Sequence, residues 1–189
     1  MRAKIQSKQQ DAGDGLDVRV VQTNKVSKTH KGGKTMSWSV LVVVGDRKGR
    51  VGASIGKALG IPDAIRKGEE GAKKSMIRVS MLGHTIPHLI EGREGSTRVM
   101  LRPATPGTGV VAGGAVRAIL EAAGVHDILA KTFGSRNAVN CAWATLKALE
   151  AMSNPKQRAM ERGVELKAIA PWFAKQKEVQ EEAPVEVES

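Results

Sequence analysis

The chain of 189 residues has no tyrosine, and aromatic side chains make up only 3% of it. Proteins that bind single-stranded nucleic acid by stacking its bases depend on aromatic rings, so this scarcity disfavours that mode of recognition. Cysteine is equally scarce: the single Cys141 excludes an internal disulfide and any multi-cysteine zinc site. Because free cysteine is commonly buried, we expect Cys141 to be a small apolar residue on the inner side of a helix.

Long apolar runs are also missing from the chain. The longest, Val40–Val44, has the length of a strand and falls far short of the roughly 20 residues that cross a membrane. Residues 1–15 are polar and lack the apolar stretch of a signal peptide, so we expect a flexible leader there. These absences predict a soluble cytoplasmic protein without a membrane partner.

Positive charge is what the chain has in excess. Its formal net charge is +11 and its pI is near 10.0. Residues 178–189 hold five glutamates and no base, which leaves 30 basic against 14 acidic residues in 1–177. So basic a body attracts polyanions, either a nucleic acid or an anionic membrane surface. With few aromatics, a nucleic acid would be recognised through its backbone and shape.

The positive charge is most concentrated in a stretch without acidic residues, from Val18 to Gly45. Strand-like apolar runs at its two ends predict a β-hairpin, and glycines at its centre would let the backbone approach a phosphate closely. Unpaired ammonium groups repel one another and stay solvated, so they do not help to fold a core. We therefore predict that the hairpin binds a strongly negative partner through Lys25, Lys28, Lys31, Gly32, Gly33 and Lys34.

A second basic turn follows the hairpin and contains Arg47, Lys48 and Arg50. In a three-stranded meander the two turns lie at opposite ends of the sheet. We therefore expect them to contact separate segments of one large polyanion, as further RNA-binding residues.

The fold class expected from the hydrophobic pattern is α+β, with two small two-layer units. The first, residues 16–81, is predicted as three strands and a helix: Asp17–Val26, Thr35–Gly45, Gly49–Ser54 and Pro62 to about Ile77. The second, residues 82–153, is predicted as β-β-α-β-α: Thr85–Glu91, Ser96–Arg102 after a Gly92–Gly95 turn, Ala115–Ala123, Asp127–Phe133 and Arg136–Met152. Residues 154–189 form a C-terminal extension with a short helix, Lys156–Arg162, and an acidic tail.

A glycine-rich loop between a strand and a helix, residues 103–114, raises the alternative of a nucleotide-binding enzyme. Gly107, Gly109 and Ala112 match the G-x-G-x-x-A form of the dinucleotide fingerprint. Two prolines interrupt the turn, and the acidic residue expected at the end of the next strand is missing. We prefer a shaped loop at a helix N-terminus, where exposed amides favour an anion or a partner chain. Absence of a bound nucleotide from the purified protein would argue against the enzyme.

Metal binding and catalysis find little support in the sequence. His84 and His88 are four residues apart, but Pro87 breaks any helix that would align them. We find no serine, cysteine or carboxylate arrangement typical of nucleophilic or acid–base catalysis. The prediction is a protein without cofactor, metal, small-molecule substrate or enzymatic activity.

Several blocks of sequence resemble the bacterial family of small-ribosomal-subunit protein five. In the first unit these are residues 25–34 (KVSKTHKGGK), 42–46 (VVVGD) and 49–52 (GRVG), and residues 85–88 (TIPH) continue the match just after it. In the second unit they are residues 103–109 (PATPGTG), 113–118 (GGAVRA) and 134–137 (GSRN). The blocks run in the family's order from about Val18 to Met152.

The resemblance implies a first domain like a double-stranded-RNA-binding module and a non-catalytic role in the small subunit. It implies binding of small-subunit ribosomal RNA by the hairpin, with Ser27 among the contacts. It also implies contacts with small-subunit proteins four and eight, a place near the path along which messenger RNA enters, and support of assembly and translational accuracy. By the family pattern, Gly107, Gly109 and Arg117 lie toward the interface with protein four.

Overall fold

The computed structural model describes residues 10–12 and 15–164. In the first unit, five antiparallel strands form one sheet in the order β1-β2-β3-β4-β5, and one helix packs on it. The bounds are β1 Gln10–Ala12, β2 Leu16–His30, β3 Gly33–Gly45, β4 Arg50–Ala58, α1 Ile61–Lys74 and β5 Ile77–Arg78. Helix α1 has a proline in its first turn, an acid (Asp63) near its start and two lysines in its last turn, which suit the helix dipole.

The second unit is a four-stranded sheet in the order β6-β7-β9-β8, covered on one side by helices. Its strands are antiparallel except for β8, which pairs in parallel with β9. The bounds are β6 Ile90–Glu94, β7 Thr97–Pro103, β8 Val110–Val111, α2 Gly114–Ala123, β9 Ile128–Gly134 and α3 Ala138–Glu150, followed by α4 Pro155–Arg162. The two sheets and their helices confirm the predicted α+β fold class.

Two apolar cores use opposite faces of the first sheet. Alternate β3 residues Val40, Val42 and Val44 pack with Ala64 and Ala72 of α1. The intervening residues of β3 face the second unit and share one larger core with α2 and α3, which includes Leu41, Val43, Val51, Ile119, Leu120, Ile128 and Leu149. The two units therefore share a core, because β3 is buried on both faces, as its unbroken apolar run Val40–Val44 requires.

Cys141 lies in the larger core, which confirms its predicted burial. Burial raises the pKa of its thiol above the ordinary value and outweighs a hydrogen bond with Thr132. The residue is therefore a protonated, unreactive part of the packing.

One predicted strand in the second unit is wrong. Thr85–Leu89 is loop apart from a single bridge between Leu82 and Thr85, and the strand begins only at Ile90. Pro87 cannot donate a ladder hydrogen bond, which accounts for the interruption. The predicted Gly92–Gly95 turn shifts accordingly: Gly92 lies inside β6, and the turn falls at Gly95, whose φ of +55° favours glycine.

The hairpin strands are longer than predicted. They continue to His30 and resume at Gly33, so only Lys31 and Gly32 form the turn. Of the predicted leader, Gln10–Ala12 pairs with β2 as β1, and the other residues before Gly15 lie outside the described part. The acidic tail, residues 178–189, lies outside it as well.

Candidate nucleic-acid interface

The lysine-rich hairpin projects from the first sheet as a two-stranded ribbon, which we call the lysine arm (residues 25–38). Strand β4 pairs with β3 only as far as Trp38, so the five pairs from Val26–Ser37 to His30–Gly33 have no third strand beside them. At about 3.3 Å per residue these pairs extend roughly 17 Å beyond the sheet. Both faces of residues 25–36 are exposed, so the arm can insert into a groove.

The lysines lie on different faces of the arm, because their three-residue spacing is out of step with the two-residue period of a strand. In the observed register, Lys25 is opposite Trp38 and Lys34 is opposite Thr29, which places these two lysines on the face that carries α1 lower down. Lys28, opposite Thr35, lies on the other face, and Lys31 is in the turn. The arm therefore presents charge in three directions.

Nothing in the described chain neutralises these four lysines. None of them forms an ion pair with a carboxylate of residues 15–164. The one specific contact is between Lys25 and Trp38, whose ring centroid lies 5.9 Å from the lysine Nζ. A cation over an aromatic face keeps its charge, so the ring orients Lys25 without cancelling it.

The second basic turn is built differently, because two of its three cations are paired within the chain. Arg50 donates from Nε to the Asp46 carboxylate at 2.7 Å, and Arg47 donates to Asp17 from Nη2 at 2.9 Å. Lys48 is exposed and has no such partner within the described residues. The turn nevertheless leaves more than half of each arginine side chain exposed, so both remain reachable by a phosphate.

The backbone of this turn joins the two units. Arg47 N–H donates to the Ala122 carbonyl at 3.0 Å, and Gly49 N–H donates to the Ala123 carbonyl at 2.9 Å. The last carbonyls of a helix lack partners within the helix, so the turn supplies the donors that the C-terminus of α2 needs. The turn predicted to bind RNA therefore also anchors the second unit to the first.

A buried ionic network strengthens the same junction. Asp17, only 6% exposed, accepts from Arg47 and also from Arg19 Nε at 3.0 Å. Arg19 reaches across to Glu121 on α2 as well. Burial lowers the pKa of Arg19, but the contacts with Glu121 and Asp17 outweigh it, so the pKa is raised and the charge is held. Arg19 and Glu121 are 102 positions apart, and nothing in the sequence indicates that they pair.

Asp46 offers a test of how far ionic contacts hold the second basic turn. Burial raises its pKa, but donors from Arg50 and from the Lys48 amide outweigh burial, so the pKa lies below the ordinary 3.8. A lowered carboxyl pKa gives stability that is present above pH 3.8 and is lost as the pH falls through the folded value. We expect Asp46→Asn to reduce the free energy of unfolding by about 1 to 2 kcal/mol at neutral pH.

Chemical unfolding of the Asp46→Asn variant and the parent at pH 7 and at pH 3 checks this expectation. The difference in the free energy of unfolding between parent and variant should be smaller at pH 3 than at pH 7. An equal difference at both pH values would show that the carboxylate charge does not matter. Asp63→Asn is the matched control, because its contact with Arg66 at 3.7 Å joins two exposed side chains on α1.

A cleft of about 540 Å³ lies between the two units beside this network. It brings together residues that the sequence assigned to different surfaces: Arg47, predicted to bind RNA, and Gly109 and Arg117, predicted to face a protein. Its lining is formed by Arg19, Arg47, Thr108, Gly109, Val110, Arg117, Glu121, Val125 and His126. Three arginines against one glutamate make the cleft basic.

The glycine loop forms one wall of the cleft. Gly109 has a φ of +75°, and its N–H donates to the Asp127 carboxylate at 3.0 Å, so β9 fixes this part of the loop. Gly107, with a φ of +86°, lies at the exposed tip, and Thr105 and Thr108 close the turn beneath it. Arg117 is exposed on α2. The three predicted protein-interface residues therefore lie on one side of the second unit.

The two histidines considered for metal binding separate in the structure. His84 packs edge-on against His126, with ring centroids 5.7 Å apart. Burial, together with the charge of Arg158, lowers the pKa of His88, which favours its neutral form. Within the described residues no group of three His, Cys, Asp or Glu side chains could hold a metal ion. In the same part of the chain, no helix combines the length and the apolar character needed to cross a bilayer.

Comparisons with known proteins match both units. The family description "Ribosomal protein S5, N-terminal domain" matches residues 16–80, and "Ribosomal protein S5, C-terminal domain" matches residues 92–162. A relative from Nocardia farcinica (strain IFM 10152), "Small ribosomal subunit protein uS5", is 53% identical over 153 residues. The aligned part makes up 81% of this chain and 70% of the relative.

Proposed function

Because the chain belongs to the ribosomal protein S5 family, whose members are structural and non-enzymatic constituents of the small ribosomal subunit, we propose that the lysine arm anchors it to small-subunit ribosomal RNA. Family membership confirms the predicted resemblance and the prediction that the chain is not an enzyme. The observation that carries the proposal is the arm itself, which is exposed on both faces and has no carboxylate partner within the described residues.

The proposed RNA contacts are Lys25, Ser27, Lys28, Lys31, Gly32, Gly33 and Lys34, with Lys48 added at the other end of the sheet. The two turns are separated by the length of β3, which is about 40 Å for 13 residues. Arg47 and Arg50 contribute through their exposed donors, although each already pairs with a carboxylate. One large folded RNA could contact both ends of a sheet this long.

A second proposed role is contact with a protein through the wall of the cleft. Gly109 and Arg117 line the cleft, and Gly107 lies at the exposed tip of the same loop. We propose this surface as the contact with small-subunit protein four, and through it an influence on translational accuracy. The wider roles implied by the resemblance (contact with protein eight, a place near the path of incoming messenger RNA, support of assembly in the cytoplasm) belong to the same proposal.

Cosedimentation tests the proposed function. The chain should stay with small subunits through a high-salt wash and should be absent from the free protein fraction. A free RNA-binding regulator would be released by the wash, and that result would contradict the proposal.

Arg117 separates the protein contact from the RNA contact. We expect Arg117→Glu to increase misreading severalfold in a reporter assay and to change RNA affinity less than loss of the arm lysines does, because Arg117 lies in the cleft with Arg47, at the other end of β3 from the arm. The matched control is Lys57→Glu, an exposed charge reversal on β4, which should leave misreading at the parental level. Unaltered misreading combined with weakened assembly would argue against a role of Arg117 at the protein-four contact.

A further inference from the structure

The outer face of the second sheet is exposed and basic, and no predicted site residue lies on it. Side chains that alternate away from the core form three rows across β6, β7, β9 and β8. The rows are Arg93–Arg98–Phe133, Glu91–Met100–Lys131 and Arg102–Leu129–Val111. We call these nine residues the outer sheet face.

Helices cover only the other side of this sheet. Val99 and Leu101 point inward and are fully buried, whereas their neighbours Arg98 and Arg102 are exposed. The outer sheet face also leaves large apolar side chains accessible: Phe133 and Leu129 are each 38% exposed and Val111 is 50% exposed. Singly exposed apolar side chains are normal on a protein surface, so the charge of the face, and not its apolar area, is what suggests a binding surface.

Charge decides the kind of partner. The face holds four cations and one acid, Glu91, whose contact with Arg98 is long at 3.7 Å. Arginine is common in protein–protein interfaces as well, so what distinguishes this face is its sign: four cations against one acid call for a strongly negative partner. Nucleic-acid interfaces are strongly basic. A polyanion fits this surface better than a protein.

The geometry of the cations and the ring fits an RNA strand. Arg98 lies over the ring of Phe133, with its guanidinium carbon 5.0 Å from the ring centroid, so the two groups form one cation–π pair. Bases stack on aromatic rings and on guanidinium planes, and the flanking cations can contact phosphates. Rows two residues apart along the strands lie about 6.7 Å from each other, which spreads the cations along a path.

We propose that the outer sheet face is a second RNA-binding surface, which holds an unpaired segment of RNA by stacking on Phe133 and by phosphate contacts from Arg93, Arg98, Arg102 and Lys131. The inference rests on the proposed function, because it assigns a further contact with RNA in the small subunit. The proposal predicts that the chain binds RNA through both units and not through the lysine arm alone.

Salt dependence in the full chain tests the charges of the face. The probe is a transcript of small-subunit ribosomal RNA. We expect Arg98→Gln with Arg102→Gln to reduce the magnitude of the log–log salt slope by about 1.5. The matched control replaces Arg158 and Arg162, two exposed arginines of α4, with glutamine. An equal fall in the control, or no fall in the sheet variant, would overturn the proposal.

A second variant works in the opposite direction and does not threaten folding. Glu91→Gln removes the only acid of the face, so RNA affinity at low salt should rise severalfold. Glu70→Gln changes the net charge equally on the exposed side of α1 and should have a much smaller effect. Equal gains in the two variants would indicate whole-molecule charge and would contradict a localised site.

Photo-crosslinking in assembled small subunits identifies the partner directly. Phe133→p-benzoylphenylalanine should give an RNA adduct on irradiation, as should the same change at His30 in the lysine arm. An adduct at His30 but only a protein adduct, or none, at Phe133 overturns the outer sheet face and leaves the proposed function standing. Loss of both RNA adducts overturns the proposed function and this inference with it.

Discussion

Replacing Lys25, Lys28, Lys31 and Lys34 together with alanine will flatten the salt dependence of RNA binding. Each phosphate neutralised by a lysine releases condensed counterions, so four contacts should reduce the magnitude of the log–log slope by about 3 to 4. All four side chains are exposed, so the free energy of unfolding should stay close to that of the parent. Titration of small-subunit ribosomal RNA at several salt concentrations measures the slope.

The two faces of the lysine arm make this experiment sharper. If RNA lies only along the face that carries Lys25 and Lys34, Lys25→Ala with Lys34→Ala should account for most of the change in the salt slope. Lys28→Ala should then change the slope little. If the arm is inserted into a groove, the changes in slope caused by substitutions on the two faces should sum to the change in the quadruple variant. Lys67→Ala with Lys74→Ala, two exposed lysines of α1, is the control. An unchanged slope in the quadruple variant would refute the phosphate contacts.

Substituting Gly124 should be among the most destabilising small changes at the junction of the units. Gly124 ends α2 in the left-handed region with a φ of +89°, and a Cβ atom there would lie 2.1 Å from the Arg47 carbonyl oxygen. Alanine would meet both a strained backbone and a backbone clash that no side-chain rotation relieves. We expect Gly124→Ala to lower the free energy of unfolding by about 3 to 5 kcal/mol.

Gly107 is the matched control for Gly124. Its φ of +86° is almost the same, but a Cβ atom there would have nothing within 4 Å. Gly107→Ala should therefore show the cost of the left-handed backbone alone, about 1 to 2 kcal/mol. Chemical unfolding of both variants measures the difference. Equal losses would show that the approach of Arg47 to Gly124 does not hold the two units together.

The general architecture could be predicted because it follows from local patterns in the sequence. The apolar run Val40–Val44, the proline at the start of α1 and the glycine at the end of α2 each specify their element through neighbouring residues. Pro87 shows where this reasoning was incomplete: the apolar residues around it suggested a strand, but the missing N–H should have excluded one. The spacing of turn glycines then placed the β6–β7 turn too early.

The arm itself could be predicted only in part. The charge pattern predicts a basic hairpin, but assigning residues 27–34 to its loop misses the two-stranded ribbon that most of these residues form. Ser27, Thr29 and Thr35 are compatible with strands, and the pairing of His30 with Gly33 is what extends the ladder. The division of the lysines between two faces follows from that register, which composition alone does not fix.

Long-range pairings were beyond the reach of sequence reasoning. Arg19 meets Glu121 because the second unit docks on the first, and nothing in the local spacing of the two residues predicts that docking. The convergence of Arg47, Gly109 and Arg117 on one cleft has the same origin. The outer sheet face was missed for a different reason, because its cations are spread over three strands and form no run in the sequence.

The most direct test of the central proposal is a map of the RNA nucleotides that lie against the lysine arm in assembled small subunits. A photoreactive residue at His30 can be irradiated, and the adducts located by reverse transcription. The same residue at Met160, which is 84% exposed on α4 at the end of the second unit, serves as the control. We predict adducts at a few neighbouring nucleotides of the small-subunit ribosomal RNA from His30. Adducts with protein alone, or the same scattered nucleotides from both positions, would contradict an arm that anchors the chain to ribosomal RNA.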